Sequence, residues 1–498
     1  MTAAAPVPLP NRAADRLDRI FFRWIFPVML AAIFVVYAVY RQRYVGASDW
    51  YGYYQQGELL KTGQVYLPTE LPADDYHALV PLGYIVENGR AIPQYPPGFP
   101  LLLAAGSFLG LTFFVTPLIG LLSCILMFGL IRDLTDRWIA AVFTLAWAFF
   151  PIVVFGSTSL MSDLVAATAV LGAYYAYRRQ FLLLSAWVLG FGLCVRPTNA
   201  LFLVVFALPL LRDRRLVRYG LYLIGPGLLY GLYNYKIYGS PWRTGYTDFR
   251  YDIMPAVFRQ HFGFYLGQTL WQCTPILVAL ALWGLKPWSR EKLFYVLWFA
   301  SFLAFYSFWK SGGDRWWWSR FLLPGYPAIF LLAALGFRRG RDQLASRAVI
   351  PVRRNRGVIA LFALVALLPA WEIYFGWSQH DLWKRNKVRD YYEITQRVAA
   401  LVPGNSFVGS VEFVGAFRIY TTLTGYVSVF DTTPELITEG FRQRRDVYLL
   451  VEPWNHSHAA IRAILGRFPS EKIEDLSFWK GLTLYKLHPP AVPALPQK

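Results

Sequence analysis

The chain has 498 residues, 56% of them hydrophobic and 18% aromatic, and a formal net charge of +19. The apolar residues come in long blocks and the mean hydropathy is +0.35, which excludes an ordinary soluble protein and indicates a polytopic membrane protein. Nucleic acid is excluded as a partner of the basic charge, because the arginines fall in short links between apolar blocks, the positive-inside pattern, and not on one water-exposed patch.

In chain order, residues 1–23 carry Arg12, Arg16, Arg19 and Arg23, and the apolar block 24–40 is followed by no small-residue cleavage site, so it is expected to be an uncleaved first span. A span needs about twenty apolar residues, or somewhat fewer where the bilayer thins. Further candidates are 113–131, 138–156, 162–177, 181–195, 198–211, 217–234, 267–285, 292–309, 320–336 and 358–376, giving a mostly α bundle of about 11 spans. With the N-terminus inside, this number puts every basic cluster in the cytoplasm: Arg132 and Arg137, Arg178 and Arg179, Arg212 to Arg218, Lys286 to Lys292, and Arg338 to Arg356. The C-terminus is then outside. Residues 99–113 are expected to form an interfacial helix on the outer face. Residues 181–211 have basic flanks on both sides and are expected to cross twice, turning at Arg196-Pro197-Thr198. This parity brings Asp49, Tyr95, Asp163, Arg196, the loop 235–265 and the segment 312–320 to one outer face.

Beyond Trp377 the composition becomes mixed. An amphipathic helix over 388–401, strands near 406–409, 426–430, 447–451 and 482–486, and helices over 434–443 and 457–468 describe a small α/β domain outside the membrane. The expected organisation is a transmembrane core over 1–377, with a first outer loop at 41–112, then the domain at 378–488 and a Pro-rich disordered tail at 489–498.

The first outer loop carries Ser48-Asp49, then Tyr53-Tyr54, Leu59-Leu60, Gly63 and Tyr66, and closes on Tyr95-Pro96-Pro97-Gly98. This pattern resembles the first outer loop of GT-C glycosyltransferases, in the branch of protein O-mannosyltransferases and lipid A aminoarabinose transferases. The likeness runs over about residues 20–335. It implies a donor sugar on a polyprenyl phosphate, an acceptor that is protein, lipid or glycan, and Asp49 as the catalytic residue. Transfer to a hydroxyl needs a base to take its proton, and one carboxylate suffices for an inverting displacement. Read without the resemblance, Asp49 fits a cap on a helix over 50–61 better than a catalytic residue, since Asp is common at that position.

The other candidates also have two readings. Asp163 corresponds to a second acidic residue of the aminoarabinose branch, or else caps the fourth span. Arg320, in Trp316-Trp317-Trp318-Ser319-Arg320-Phe321-Leu322-Leu323-Pro324, resembles the family's arginine before a Leu-Leu-Pro span. It and Arg196 supply the bidentate charge a lipid phosphate needs, or else snorkel to head groups. Tyr95 departs from the relatives, which have Lys or His before Pro-Pro; a phenol carries no charge at neutral pH. Tyr53 completes the substrate-binding set. Trp309, Trp316, Trp317 and Trp318 read as an interfacial belt, with a sugar platform as the alternative. His77 with Asp74 and Asp75 matches no zinc spacing, Cys124, Cys194 and Cys273 form no CxxC pair, and no metal or other cofactor is expected. No GxxxxGK[ST] or GxSxG occurs. The rivals to an enzyme are a transporter or lipid flippase, disfavoured by the lack of repeat symmetry and of paired broken helices, and an inactive donor-binding protein.

Overall fold

A computed structural model describes residues 19–490 apart from 69–76, 209–214, 247–251, 431, 477–480 and most of 348–387. Residues 1–18, Asp74 and Asp75, most of the last candidate span and the end of the tail therefore lie outside the described residues.

Two described helices, Phe21–Tyr40 and Thr112–Leu134, are long and apolar enough to cross a membrane. The number rises to five if three bent pairs each count as one span: Arg137–Phe149 with Pro151–Thr158 (63°), Pro255–Gln272 with Thr274–Gly284 (99°), and Trp316–Leu322 with Tyr326–Leu344 (84°). Among the described residues fewer helices meet this test than the eleven blocks read from composition: some blocks are broken, and the helices Leu182–Val195 and Pro197–Ala207 are too short to meet it. Pro151, Pro275 and Pro324 stand at the three bends. Each lacks an N–H and disfavours the helical conformation of the residue before it. Candidate spans 138–156 and 267–285 are thus each broken, and span 320–336 begins within the 3-10 helix Trp316–Leu322.

Residues 181–211 form Leu182–Val195 and Ala200–Ala207, which meet at the turn after Arg196. Gly98–Phe108 has 11 residues, too few to span at 1.5 Å each. It buries Phe99 and Leu103 and exposes Leu101 and Phe108, the one-sided pattern of a helix lying on the bundle. Ser162–Arg178, apolar and small-residued all round, is buried along most of its length at the centre of the bundle. Arg215–Tyr238 instead exposes Val217, Leu221, Ile224, Leu228 and Leu232, an apolar face that water would not tolerate. Helices Thr274–Gly284 and Tyr326–Arg347 touch backbone to backbone: a Cβ on Gly336 would lie 1.9 Å from the Leu280 carbonyl oxygen. Such small-residue contacts are how helices pack without a hydrophobic driving force.

Charge separates along the bundle. Arg178 pairs with Glu291, Arg179 with Asp133 (3.0 Å) and Arg341 with Asp136, so four of the basic clusters meet at one end. Asp163 opens the helix that Arg178 closes, about 22 Å away. The cluster around Asp163 therefore sits at helix ends, not at mid-depth.

The first loop folds as helix Ser48–Lys61, a hairpin of β1 (Tyr84–Glu87) and β2 (Arg90–Pro93), and Gly98–Phe108. The hairpin was not expected, although Asn88-Gly89, both at positive φ (50° and 71°), is its sequence signature. In the C-terminal region, β3 (Phe407–Ser410), β4 (Thr424–Val427), β5 (Val447–Val451), β6 (Ser470–Leu476) and β7 (Leu482–Leu487) form one sheet in the order β4-β3-β5-β7-β6. β3 runs parallel to β4 and β5, while β7 is antiparallel to both its neighbours. Strand β6 escaped the sequence reading because Ser-Glu-Lys-Ile-Glu-Asp-Leu is a polar edge, exposed along much of its length. The sheet unit is docked on the first loop. Ala47 and Trp50 pack against its core, Trp50 meets Tyr391 edge to face at 6.2 Å, and the Val45 N–H donates to Tyr420 (2.7 Å).

Candidate active site

Helix Ser48–Lys61 starts after Ala47, and no side chain caps it. Asp49 is therefore not a cap. It stands in the first turn, where the helix dipole favours a carboxylate. Its Oδ1 accepts a hydrogen bond from the Tyr95 hydroxyl (2.6 Å) and its Oδ2 faces Arg320 Nη2 (3.4 Å). The side chain stays 37% exposed, so one edge of the carboxylate remains reachable.

Asp163 does not cap its helix either. The N-cap position is Met161, with no side-chain cap bond. The Asp163 side chain is 2% exposed and is compensated by Arg196 Nη2 at 2.9 Å on Oδ1 and Arg320 Nε at 3.6 Å on Oδ2. A carboxylate buried at that depth without such partners would be untenable. Ser162 Oγ accepts from Arg196 Nε (3.1 Å) and shares a hydrogen bond with the Tyr53 hydroxyl (2.8 Å).

Arg320 bridges the two carboxylates. Its side chain is 8% exposed and its guanidinium lies over Trp318 (4.9 Å) and Phe321 (5.2 Å). A snorkelling arginine would hold its head in water, and this one does not. Arg196 lies over the other side of the cluster, 5.1 Å from the Phe321 ring. Two arginines and two aspartates thus form a neutral, mostly buried group with one exposed edge, at Asp49.

Tyr95 is buried, its ring packed on Tyr53 (centroids 4.4 Å). Gly52 makes room for it, since a Cβ there would lie 2.4 Å from the Tyr95 ring. Burial, and then the charge of Asp49, push the phenol well above its ordinary value, so it is a permanent neutral donor. At the position where the resemblance implied a Lys or His, this chain places a hydroxyl aimed at Asp49. All six residues singled out in the sequence, Asp49, Tyr53, Tyr95, Asp163, Arg196 and Arg320, come together at one end of the bundle.

Sequence reasoning missed Ser162, Tyr246, whose ring stands 6.3 Å from Tyr95, and Glu412. Glu412 follows β3, receives the Tyr391 hydroxyl on Oε2 (2.5 Å) and lies within electrostatic reach of Asp49 and Arg315. Burial is the main cause that raises its pKa. Asn-Gly spacing could have found the hairpin; no local signal could have found Glu412. Among the described residues no group of His, Cys, Asp or Glu is arranged to hold a metal ion.

No protein-family model and no curated protein sequence matches the chain. Its fold is similar to that of ArnT from Cupriavidus metallidurans, solved in the apo state and bound to undecaprenyl phosphate, at 15% identity and TM-score 0.59 over 94% of this chain and 98% of that one. It is also similar to the oligosaccharyltransferase AglB of Archaeoglobus fulgidus, in complex with an inhibitory peptide and a dolichol-phosphate, at 11% identity and TM-score 0.53 over 86% of this chain and 69% of that one. A third similar structure is the mycobacterial arabinofuranosyltransferase AftD, at 12% identity and TM-score 0.50 over 93% of this chain and 41% of that one. These are GT-C glycosyltransferases, and the chain has their membrane helical fold.

Proposed function

We propose that the chain is a membrane glycosyltransferase that moves a sugar from a polyprenyl-phosphate donor to an acceptor hydroxyl on the outer face, with Asp49 as general base. The observation that carries this reading is the Asp49 carboxylate itself: partly exposed, held on one oxygen by Tyr95 and turned on the other toward a buried arginine. The undecaprenyl phosphate and dolichol-phosphate held by proteins of the same fold support the donor class.

The two arginines divide their work. Arg196 is committed, at 2.9 Å to Asp163 and 3.1 Å to Ser162, and braces Asp163. Arg320 reaches its carboxylates only at 3.4 and 3.6 Å, longer than the roughly 2.7–2.9 Å of a strong charge-assisted bond. Its fork is thus free to close on a phosphate. Moving toward the phosphate draws it off Asp49 Oδ2, and that oxygen becomes the base for the acceptor's proton. The acceptor oxygen then bonds to the anomeric carbon, and the phosphate leaves with the electron pair of the broken bond.

The direct test is to give the purified full chain a radiolabelled undecaprenyl-phosphate sugar. Transfer or slow hydrolysis is expected; binding with neither would leave only a donor-binding protein. Tyr95→Phe removes one charge-assisted hydrogen bond, worth about 1.5–3 kcal/mol, from the base alone. Transfer should fall by roughly ten- to a hundredfold with donor affinity unchanged. An unchanged rate would mean that the phenol does not orient Asp49.

Sidedness has its own check. The native cysteines are buried or half-buried, so single cysteines at the exposed positions Gln64, Arg462 and Ser346 can be labelled selectively. Gln64→Cys and Arg462→Cys should react from outside intact cells, and Ser346→Cys only after permeabilisation. Reaction of Gln64→Cys and Ser346→Cys from the same side would contradict the arrangement.

A further inference from the structure

A cleft of about 400 Å³ is walled by Trp271, Trp316, Trp317 and Phe375 and rimmed by Gln268, Asp314 and Arg315. Its size is that of a small-ligand site, about 300–1,000 Å³. It differs from an aromatic belt in its rim: the open cleft that the indoles line also carries a carboxylate, a guanidinium and an amide. Asp314 and Arg315 are both well exposed and only loosely paired, 3.8 Å apart, so both are available to a ligand. Arg315 lies over the Trp317 ring (5.0 Å), which fixes the guanidinium beside the indole. Gln272 donates to the Gln268 carbonyl oxygen (3.0 Å), leaving the Gln268 amide hydrogens as donors.

We infer that this cleft is the acceptor subsite and that the acceptor it takes is a carbohydrate. An acyl chain would meet a carboxylate and a guanidinium it cannot satisfy. A sugar presents apolar C–H faces to the indoles and vicinal hydroxyls that both accept and donate, and the rim offers both functions. The inference rests on the glycosyltransferase reading and narrows its acceptor from protein, lipid or glycan to glycan.

Position supports it. Trp317 and Arg320 lie on one 3-10 helix, three residues and so about 6 Å apart along its axis, on the same face. Tyr265 is within electrostatic reach of both Arg320 and Asp314, and Glu412 of both Arg315 and Asp49. A ring held at Trp317 is thus one 3-10 turn from Arg320, the residue that faces Asp49.

The test is saturation-transfer NMR on the full chain in detergent, with methyl glycosides of common hexoses and pentoses as probes and undecaprenyl phosphate affinity measured on the same samples. At least one glycoside should receive saturation at its ring C–H protons. Trp317→Ala and Asp314→Asn should weaken that signal by about five- to tenfold, and Trp317→Phe, which keeps a stacking face, by less. Undecaprenyl phosphate affinity should stay within about twofold in all three variants, which also shows that they are folded. No saturation of any glycoside, or equal saturation in wild type and variants, overturns the subsite and leaves the tryptophans as an interfacial belt. Glycoside binding without any undecaprenyl phosphate binding would overturn the donor reading while sustaining the cleft, so the two failures are distinguishable.

Discussion

Asp49→Asn is expected to lower sugar transfer by at least about 10²–10⁴, the usual range for losing an acid–base group. The amide keeps the size of the carboxylate, and its oxygen can still accept from Tyr95, but it cannot take a proton. Folding should be nearly unaffected, because Asp49 lies at the exposed edge of the cluster and caps no helix. Donor affinity should survive or rise, since one negative charge near the donor phosphate is gone. Arg320 still has Asp163 as a partner at 3.6 Å, so its guanidinium is not stranded. Asp49→Glu should rescue poorly, because moving the carboxylate by about 1 Å already loses the geometry of attack. The measurement is transfer rate against donor affinity for both variants. Transfer by Asp49→Asn at close to the wild-type rate would sink the assignment and move the search for a base to Asp163 or Glu412.

Arg320→Ala has the second-largest expected effect, a fall in affinity for undecaprenyl phosphate of roughly one to two orders of magnitude. A charge-assisted hydrogen bond to phosphate at a partly buried site contributes about 1.5–3 kcal/mol. The same change removes a cation from between Asp49 and Asp163, so some loss of stability accompanies it. Arg320→Lys separates the two effects: it restores the charge, and with it the stability, but recovers only part of the affinity, because the planar fork is lost. Donor affinity and melting temperature should be read on both variants. If Arg320→Ala melts early but binds the donor as the wild type does, Arg320 serves only to neutralise Asp163.

The candidate site was legible where its chemistry is written locally. Ser48-Asp49, Tyr95-Pro96-Pro97 and the arginine before Leu322-Leu323-Pro324 are short patterns, and each turned out to lie in the cluster. Their roles were less legible. Asp49 and Asp163 could each have been helix caps, and only the start of each helix, one residue ahead of the carboxylate and with no cap bond, removes that reading. Tyr95 departs from the pattern that the resemblance implies, and it becomes a donor to Asp49 because Gly52 lets its ring lie against the helix. Arg196 and Arg320 were the same residue type at similar boundaries, and their distances to Asp163 now tell them apart.

By itself the sequence determined the membrane class, the basic clusters, the strands β3, β5 and β7 and the loop that carries Asp49. These follow from composition and short-range periodicity, which act through each residue's own solvation and backbone preferences. The tertiary structure alone decided which helices break, how the sheet unit docks on Trp50, and that Glu412 stands near Asp49. A bend at a proline depends on what packs around the break. A pairing such as Arg320 with Asp49 depends on two segments 271 residues apart meeting in space, and no local preference encodes that meeting.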